Sequence, residues 1–188
     1  EGVINLAGET INQRWTKGAK ERILASRVET TRRLVSYIRE GVLKPEVVIN
    51  GSAVGFYGTK AMDSLTEDSP PGDDFLAEVT KAWEQEAEWL DSLDVRLVKA
   101  RIGLVLGVTG GALPRMLLPY KLFVGGKLGT GRQWVSWIHM RDLVRLFAYC
   151  LRNTELKGAV NFTAPHPVTM DTLGKTIAKL LDRPHWLS

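Results

Sequence analysis

The stretch GSAVGFYG, residues 51–58, decides the fold and follows an apolar run, PEVVIN, at residues 45–50. It places Ser52 and Tyr57 among three glycines. Either it is a turn that carries a hydroxyl group, or it is the end of a buried strand that delivers a catalytic serine. The valine and isoleucine before it favour a strand. Because ligands of parallel sheets lie at the carboxyl ends of the strands, Ser52 is a candidate site residue.

Short apolar runs alternate along the whole chain with longer segments of helical period. Strands are predicted at residues 3–6, 46–50, 95–100 and 159–162. Helices are predicted at residues 16–40, at 76–90 with Asp73 or Asp74 as N-cap, at 110–122 with an interruption at Pro119, at 140–151 and at 170–181. This alternation predicts an α/β fold whose strands form a parallel sheet through helical crossovers.

Composition and charge exclude several classes of protein. The 188 residues are 44% hydrophobic and 24% charged, which is typical of one globular domain. The net charge of +4 comes from interspersed residues, without a basic run that alternates with aromatic residues, so we expect no nucleic-acid partner. No apolar run approaches the roughly 18 to 20 residues of a membrane span. The single cysteine, Cys150, allows no intramolecular disulfide and is expected to pack in the core.

Three apparent motifs do not meet the requirements of their chemistry. LGKT at residues 173–176 lacks the preceding glycine of a phosphate-binding loop, because Thr169 stands at that position. The glycines of GGKLGTG, residues 125–131, follow no predicted strand and are expected to form a loop. His139, His166 and His185 are not spaced with other ligands as in a metal site, so no metal is expected.

The first predicted strand also ends in small residues. NLAGE, residues 5–9, places Ala7 and Gly8 where the backbone can approach a ligand closely. Two neighbouring strand ends of this kind suit a dinucleotide crevice. The alternative is that these glycines serve only the geometry of sheet-edge turns.

A resemblance to a known family rests on blocks that occur in order along the chain: VINLAGE, SAVGFYG, TEDSP, DFLAEV, RIGLVLG, GGALPRMLLPYKL, GGKLGTGRQWVSWIHMRDL and VNFTAPHPVTM. They resemble the atypical, epimerase-like short-chain dehydrogenase/reductase family. The resemblance implies a Rossmann-like doubly wound parallel sheet of the extended type. It also implies NADP(H) as cofactor, with NAD less favoured, and an unassigned small substrate, for which a nucleotide-sugar-like molecule is one option.

The resemblance further implies a fragment. The family's glycine-rich loop would precede the first strand, and a short segment would follow residue 187. Residues 1–188 are then one incomplete α/β domain, with 1–107 mainly the C-terminal part of the Rossmann core and 108–188 mainly substrate-side segments with one returning strand. The expected location is the cytoplasm, or an organelle stroma or matrix if a transit peptide precedes this sequence.

Site residues carry over from the family one by one. The positions that match its cofactor contacts are Leu6, Ala7, Gly8, Arg27, Arg101, Ile102, Gly103 and Val105. Apart from the resemblance, Arg27 would be interpreted as a solvated helix charge.

The catalytic pattern is incomplete. Ser52 matches the serine of a Ser-Tyr-Lys set, but the Tyr-x-x-x-Lys window reads AEVTK, with Ala77 in the tyrosine's place and Lys81 at its end. Alanine cannot transfer a proton, so Tyr57 is the substitute candidate, and a packed ring is the alternative for it. Two hypotheses follow: an NADP(H)-dependent oxidoreductase or epimerase, and a catalytically inactive nucleotide-binding scaffold with a protein partner.

Overall fold

The computed structural model describes residues 1–59 and 64–187. Its strands and helices, in chain order, are β1 (Gly2–Asn5), α1 (Lys17–Arg39), β2 (Val47–Ala53), α2 (Phe75–Ala87), β3 (Arg96–Ile102), β4 (Leu104–Leu106), α3 (Ala112–Lys121), β5 (Trp134–Val135), β6 (Trp137–His139), α4 (Met140–Arg152), β7 (Gly158–Phe162), β8 (Val168–Thr169) and α5 (Met170–Leu181). Short 3-10 helices span Val54–Tyr57 and Glu88–Leu93.

The predicted α/β architecture is confirmed by a sheet of order β1-β2-β3-β7. β2 is parallel to both of its neighbours, β1 and β3. β2 begins within PEVVIN at Val47 and continues into the glycine-rich stretch as far as Ala53, so Ser52 lies inside a strand and not in a turn. The register sets Ser52 directly opposite Arg101 of β3.

Capping residues define the helices that flank this sheet. Thr16 caps α1 by accepting a hydrogen bond from the Ala19 amide, and Asp74 caps α2 by accepting one from the Ala77 amide. Gly41, at φ 73°, follows α1 in the left-handed conformation that glycine adopts without strain. The predicted interruption at Pro119 is wrong, because α3 continues to Lys121. Pro119 lies so near the helix end that only the last turn depends on its missing N–H group.

The chain divides into two compact units, Glu1–Ile102 with Leu146–Asn161, and Gly103–Arg145 with Phe162–Ser188. In the first unit, apolar side chains of α1, β2, β3 and the segment after α2 form a core that includes Val35, Val48, Leu90 and Leu97. Burying such side chains is the main stabilising contribution to the unit. Every helix within residues 1–59 and 64–187 is too short or too polar to serve as a membrane span.

In the second unit, α3 and α5 enclose Tyr120, Ile177 and Ala178. The Tyr120 hydroxyl lies 3.0 Å from Nδ1 of His185, whose Nε2 lies 3.0 Å from the Asp171 carboxylate. Burial, and to a smaller degree the Asp171 charge, raises the pKa of Tyr120. A Cβ at Gly174 would come within 2.5 Å of the Tyr120 hydroxyl, so the close packing of this group depends on glycine in α5.

Candidate active site

The carboxyl end of β1 presents exposed backbone. Leu6, Ala7 and Gly8 are all exposed directly after the strand. The Ala7 amide donates a 3.3 Å hydrogen bond to Oδ1 of Asn5, which fixes the turn at its first step. The strand end is therefore accessible and held from within the sheet.

Arg27 of α1 lies against this strand end. Its guanidinium donates to the Glu9 carbonyl at 3.0 Å and to the Ile23 carbonyl at 2.9 Å, and it lies over the Trp83 ring at 5.2 Å. A Cβ at Gly8 would come within 2.9 Å of the guanidinium carbon of Arg27, so glycine permits this approach. Burial lowers the pKa of Arg27, and the nearby Glu9 partly opposes that effect. A partly desolvated cation thus lies beside the exposed backbone.

A neutral cluster of Asn5, Thr31, Asn50 and Trp83 supports the same strand end. The Asn5 amide group donates to the Thr31 hydroxyl at 3.0 Å and to the Asn50 side-chain oxygen at 2.7 Å. The Trp83 indole donates to the Thr31 hydroxyl at 2.9 Å. All four side chains are buried, and their hydrogen bonds join β1, β2, α1 and α2. This neutral cluster fixes the strand from which Leu6, Ala7 and Gly8 emerge.

An ionic cluster comprises Ser52, Tyr57, Glu84, Arg101 and Asn161. Glu84 of α2 lies at the centre of this cluster. Its side chain is only 3% exposed, and its carboxylate accepts three hydrogen bonds. Arg101 binds its carboxylate through two nitrogens at 2.9 Å each, and Ser52 donates its hydroxyl proton at 2.6 Å. Bidentate pairing of this kind satisfies a buried carboxylate. Ser52 is 3% exposed, and its proton is directed at Glu84.

Tyr57 lies on the other side of Arg101. The guanidinium donates to the phenol oxygen at 3.0 Å, and the phenol donates to the Asn161 side-chain oxygen at 2.6 Å. Arg101 also donates a hydrogen bond to the backbone carbonyl of Glu67 at 2.9 Å. The Glu67 carboxylate in turn accepts a hydrogen bond from the backbone N–H of Asn161 at 2.8 Å. Tyr57 is 3% exposed, so its hydroxyl is enclosed by these partners.

The charge of Arg101 is secured by its partners. Burial by itself lowers the pKa of this guanidinium, but hydrogen bonds to Glu84 and Tyr57 outweigh burial and raise it. The guanidinium also lies 3.6 Å above the Phe56 ring centre. A cation with this many partners is a fixed part of the interior.

The window AEVTK differs from the rest of the expected catalytic set. Ala77 is fully buried at the start of α2, so its position does not open to a ligand. Lys81 is exposed one turn later. Among the residues that the structure describes, no hydrogen bond or ion pair joins Lys81 to Ser52 or Tyr57. The structure therefore connects Ser52 to Tyr57 through Glu84 and Arg101, and it leaves Lys81 outside the cluster.

The remaining expected cofactor residues belong to different units. Arg101 and Ile102 end β3 in the first unit, whereas Gly103 and Val105 lie in the second. Gly103 donates its amide to the Phe162 carbonyl at 3.1 Å, and a Cβ there would come within 2.6 Å of the Ser136 carbonyl. Close backbone packing therefore accounts for glycine at this position.

No group of three or more His, Cys, Asp or Glu side chains suited to a metal ion occurs within residues 1–59 and 64–187. His139 ends β6 directly before the first residue of α4, and its Nδ1 accepts a 3.2 Å hydrogen bond from the Arg141 backbone amide in the first turn of that helix. Cys150 is buried, and burial raises the pKa of its thiol against the opposing effect of Arg96.

Sequence reasoning did not identify Glu84 and Asn161. Glu84 carried a weak signal, since it follows Trp83 on the buried side of α2 where apolar residues are the rule. Asn161 carried none, because it lies 104 residues from its partner Tyr57.

Comparison with known proteins shows the family to which this chain belongs. A sequence model of the NAD dependent epimerase/dehydratase family matches residues 1–162. The chain is 47% identical over 185 residues to the epimerase family protein YfhF of Bacillus subtilis (strain 168), an alignment of 98% of this chain and 61% of that protein. This chain thus spans about three-fifths of the length of that relative.

Two solved structures are also similar. Human epimerase family protein SDR39U1 (isoform 2), solved with NADPH, matches with a TM-score of 0.90 and 34% identity over 99% of this chain and 64% of that one. The nucleoside-diphosphate sugar epimerase from Corynebacterium glutamicum matches with a TM-score of 0.82 and 37% identity over 95% of this chain and 38% of that one.

Proposed function

Because this chain belongs to the NAD dependent epimerase/dehydratase family, we propose that the full-length protein binds NADP(H) and acts as an oxidoreductase or epimerase on a small substrate. NADP is preferred to NAD, because human SDR39U1 was solved with NADPH. A nucleotide-sugar-like molecule remains one option for the substrate, since a nucleoside-diphosphate sugar epimerase is among the similar structures.

The observation that carries this proposal is the exposed end of β1 beside Arg27. Leu6, Ala7 and Gly8 offer accessible backbone at the carboxyl edge of a parallel sheet, where such folds bind nucleotides. Gly8 leaves room for a close approach, and the fixed cation of Arg27 complements a negatively charged cofactor. These residues fit a dinucleotide, which would donate the hydride in its reduced form and accept it in its oxidised form. Arg101, Ile102, Gly103 and Val105 remain proposed cofactor contacts, with Arg101 limited to its backbone because Glu84 holds its side chain.

A calorimetric titration of full-length protein with NADPH tests the cofactor. We expect binding by the wild-type protein and at least a tenfold loss of affinity in Arg27→Met, because the cation beside the strand end is removed. The matched control is Arg33→Met, which alters an exposed arginine on the same helix and should leave affinity within twofold. No binding by the wild-type protein would contradict the proposal.

For catalysis, we propose Ser52 and Tyr57 as the pair that supports substrate orientation and proton transfer, with Lys81 as the third candidate. The phenol proton points toward Asn161 because Arg101 donates to the phenol oxygen. Because both residues are buried, a substrate can reach either hydroxyl only if the side chains that enclose it move away.

The second candidate function is a nucleotide-binding scaffold without catalysis. Ala77 in place of the tyrosine, together with the enclosed hydroxyls of Ser52 and Tyr57, favours it. NADPH oxidation with a panel of carbonyl substrates separates the two functions. Activity that both Ser52→Ala and Tyr57→Phe abolish supports the enzyme. The activity of Lys81→Ala then shows whether Lys81 takes part in the reaction. No activity, with unchanged partner binding by the first two variants in a pull-down, supports the scaffold.

A further inference from the structure

Residues 183–187, the returning segment, pair with residues 125–127, the loop segment, inside the second unit. The Lys127 amide donates a 2.7 Å hydrogen bond to the Leu187 carbonyl, and Gly126 and Leu187 form a parallel bridge. A Cβ at Gly126 would collide with the Leu187 carbonyl, so the two backbones lie closer together than a side chain at this position would allow. A group that fixes the returning segment therefore also fixes the loop segment.

His185 fastens the returning segment to two helices. Its ring lies parallel to that of Tyr120 in α3, with the centroids 5.9 Å apart and the planes at 5°. Nδ1 lies 3.0 Å from the Tyr120 hydroxyl, and Nε2 lies 3.0 Å from the carboxylate of Asp171, in the first turn of α5. The His185 side chain is 10% exposed, and Tyr120 is 5% exposed. Both ring nitrogens are thus engaged by protein groups.

The charge of Asp171 decides which ring nitrogen carries the proton. Hydrogen bonds from Lys175 and then from His185 lower the pKa of Asp171, so at neutral pH its ionised carboxylate can only accept a hydrogen bond. Nε2 must therefore carry a proton. In the neutral imidazole Nδ1 is then an acceptor, and the Tyr120 hydroxyl donates to it. The distances agree, because this hydroxyl lies 3.0 Å from Nδ1 but 3.4 Å from the Gly126 carbonyl.

A second proton on the imidazole reverses the hydrogen bond to Tyr120. Once Nδ1 is protonated it can only donate, so the Tyr120 oxygen becomes the acceptor and its own proton turns to another partner. The Gly126 carbonyl is the acceptor beside it. The imidazolium also forms a charge-assisted hydrogen bond with Asp171, which is stronger than a neutral one. Protonation therefore adds a hydrogen bond to the loop segment and strengthens the contact with α5.

The titratable or charged side chains that face the His185 ring or its carboxylate partner come from α3, α5 and the loop segment: Tyr120, Asp171, Lys175 and Lys127. Tyr120 stays protonated at neutral pH, because burial raises its pKa. Nζ of Lys175 lies 2.6 Å from the carboxylate oxygen of Asp171 that does not face His185. Arg183 is directed elsewhere, with its guanidinium 4.5 Å from the Phe123 ring centre. The imidazole thus faces a carboxylate on one side and a neutral hydroxyl on the other.

We infer that His185 is a proton-operated latch, which holds the loop segment against α3 and α5 when protonated and releases the Gly126 carbonyl when neutral. Imidazole suits this role, because it is the side chain whose charge ordinarily changes between pH 5 and pH 8. The far end of the same loop does not depend on the latch, since the Asp171 amide donates to the Gly131 carbonyl at 2.9 Å through backbone groups that do not titrate. The latch therefore acts on residues 125–127 and leaves residue 131 fixed.

NMR of full-length protein with 15N-labelled histidine tests the proton positions. The His185 signals are assigned in the wild-type protein through bonds from its backbone. At pH 8.5 we expect the Nε2–H tautomer of His185, and on acidification to pH 5 only Nδ1 should change its protonation state. The matched control is His166, an exposed histidine of the same unit, whose ring should populate both tautomers. An Nδ1–H tautomer of His185 at pH 8.5, or a ring that takes up no second proton by pH 5, would overturn the inference.

Hydrogen exchange tests the effect on the loop segment. We expect the protection factor of the Lys127 amide to fall about tenfold between pH 5.5 and pH 8.5, because a charge-assisted hydrogen bond that resists local opening is lost. Protection factors already correct for the intrinsic pH dependence of exchange. The Asp171 amide, at the fixed end of the loop, is the internal control and should change by less than about twofold. Equal responses of the Lys127 and Asp171 amides would contradict the latch.

Variants assign the response to the imidazole. His185→Gln cannot titrate, and Tyr120→Phe lacks the hydroxyl that turns to Gly126, so both should reduce the tenfold response of the Lys127 amide to about threefold or less. His166→Gln should retain the full response. A full response in His185→Gln would overturn the inference. If either latch variant does not fold, the wild-type tautomer and the wild-type comparison of the two amides decide the matter.

Discussion

The neutral cluster and the ionic cluster draw on the same two elements, yet they solve different problems. Asn50 and Ser52 are two residues apart on β2, and Trp83 and Glu84 are adjacent on α2. The neutral cluster joins amide, hydroxyl and indole groups and supports the exposed end of β1. The ionic cluster holds a charge pair in the interior and fixes Tyr57, Asn161 and the loop at Glu67. Polar groups that share a strand and a helix can thus serve a binding edge or an interior framework.

The energetic difference between the clusters follows from charge. Within the part of the chain that the structure describes, no buried side-chain nitrogen or oxygen lacks a hydrogen-bond partner. Removing one partner leaves an unpaired dipole in the neutral cluster, whereas removing Arg101 from the ionic cluster leaves the buried Glu84 carboxylate with the more distant Lys99 as its cationic partner, whose Nζ lies 3.8 Å away. A buried charge costs more to leave uncompensated than a buried amide, so the two clusters should respond unequally to single substitutions.

The largest effect is expected for Arg101→Met. The substitution leaves Glu84 buried and deprived of its bidentate partner, which should lower the free energy of unfolding by about 3–5 kcal/mol. Urea-induced unfolding of the wild-type and variant proteins measures the change. Because hydrogen bonds to Glu84 and Tyr57 raise the pKa of Arg101, the guanidinium stays charged in the folded and the unfolded protein between pH 5 and pH 9, and its contribution to stability should not vary over that range.

Arg32→Met is the matched control for Arg101→Met. Arg32 pairs with Glu86 at 2.9 Å, but its side chain is 63% exposed. An exposed pair of this kind contributes about 0.2–1 kcal/mol. Equal losses for Arg32→Met and Arg101→Met would contradict the distinction between a buried and an exposed ion pair in this protein.

A smaller effect is expected for Asn5→Ala in the neutral cluster. The variant removes the partner of Thr31, Asn50 and the Ala7 amide, and should cost about 1–3 kcal/mol in the same unfolding experiment. NADPH affinity should fall as well, because the end of β1 loses its internal support. Asn12→Ala, at an exposed position, should change the free energy of unfolding by less than about 0.5 kcal/mol. A loss for Asn5→Ala as large as that for Arg101→Met would remove the contrast between the clusters.

The sequence predicted the sheet better than it predicted the clusters. The four long strands of the main sheet were each predicted to within a few residues, because apolar runs of valine and isoleucine are a local signal. β4, β5, β6 and β8 were not predicted, since strands of two or three residues depend on pairing with distant partners. Ser52 and Arg101 were both singled out, but their shared partner Glu84 emerges only when β2, β3 and α2 pack together.

The smallest effect is expected at a polar group of a third kind, which is partly exposed and lies in the second unit. Asp171 pairs with Lys175 at 2.6 Å and with His185 at 3.0 Å, and its side chain is 21% exposed. The hydrogen bond from Lys175, and then that from His185, lowers the pKa of Asp171 below its usual 3.8. A lowered pKa adds stability above the usual value and loses it as the pH falls through the native-state value. Asp171→Asn should therefore lower the unfolding midpoint slightly at pH 7, leave it nearly unchanged at the lowest pH, and so flatten the decline below about pH 4. Urea midpoints measured from pH 3 to pH 7 follow this decline.

Asp142→Asn is the matched control for Asp171→Asn. It alters an aspartate whose side chain is 59% exposed and whose carboxylate lies 3.3 Å from Arg145. The same flattening in both variants would show that exposure to solvent, and not the His185 and Lys175 contacts, governs the acid response of this unit.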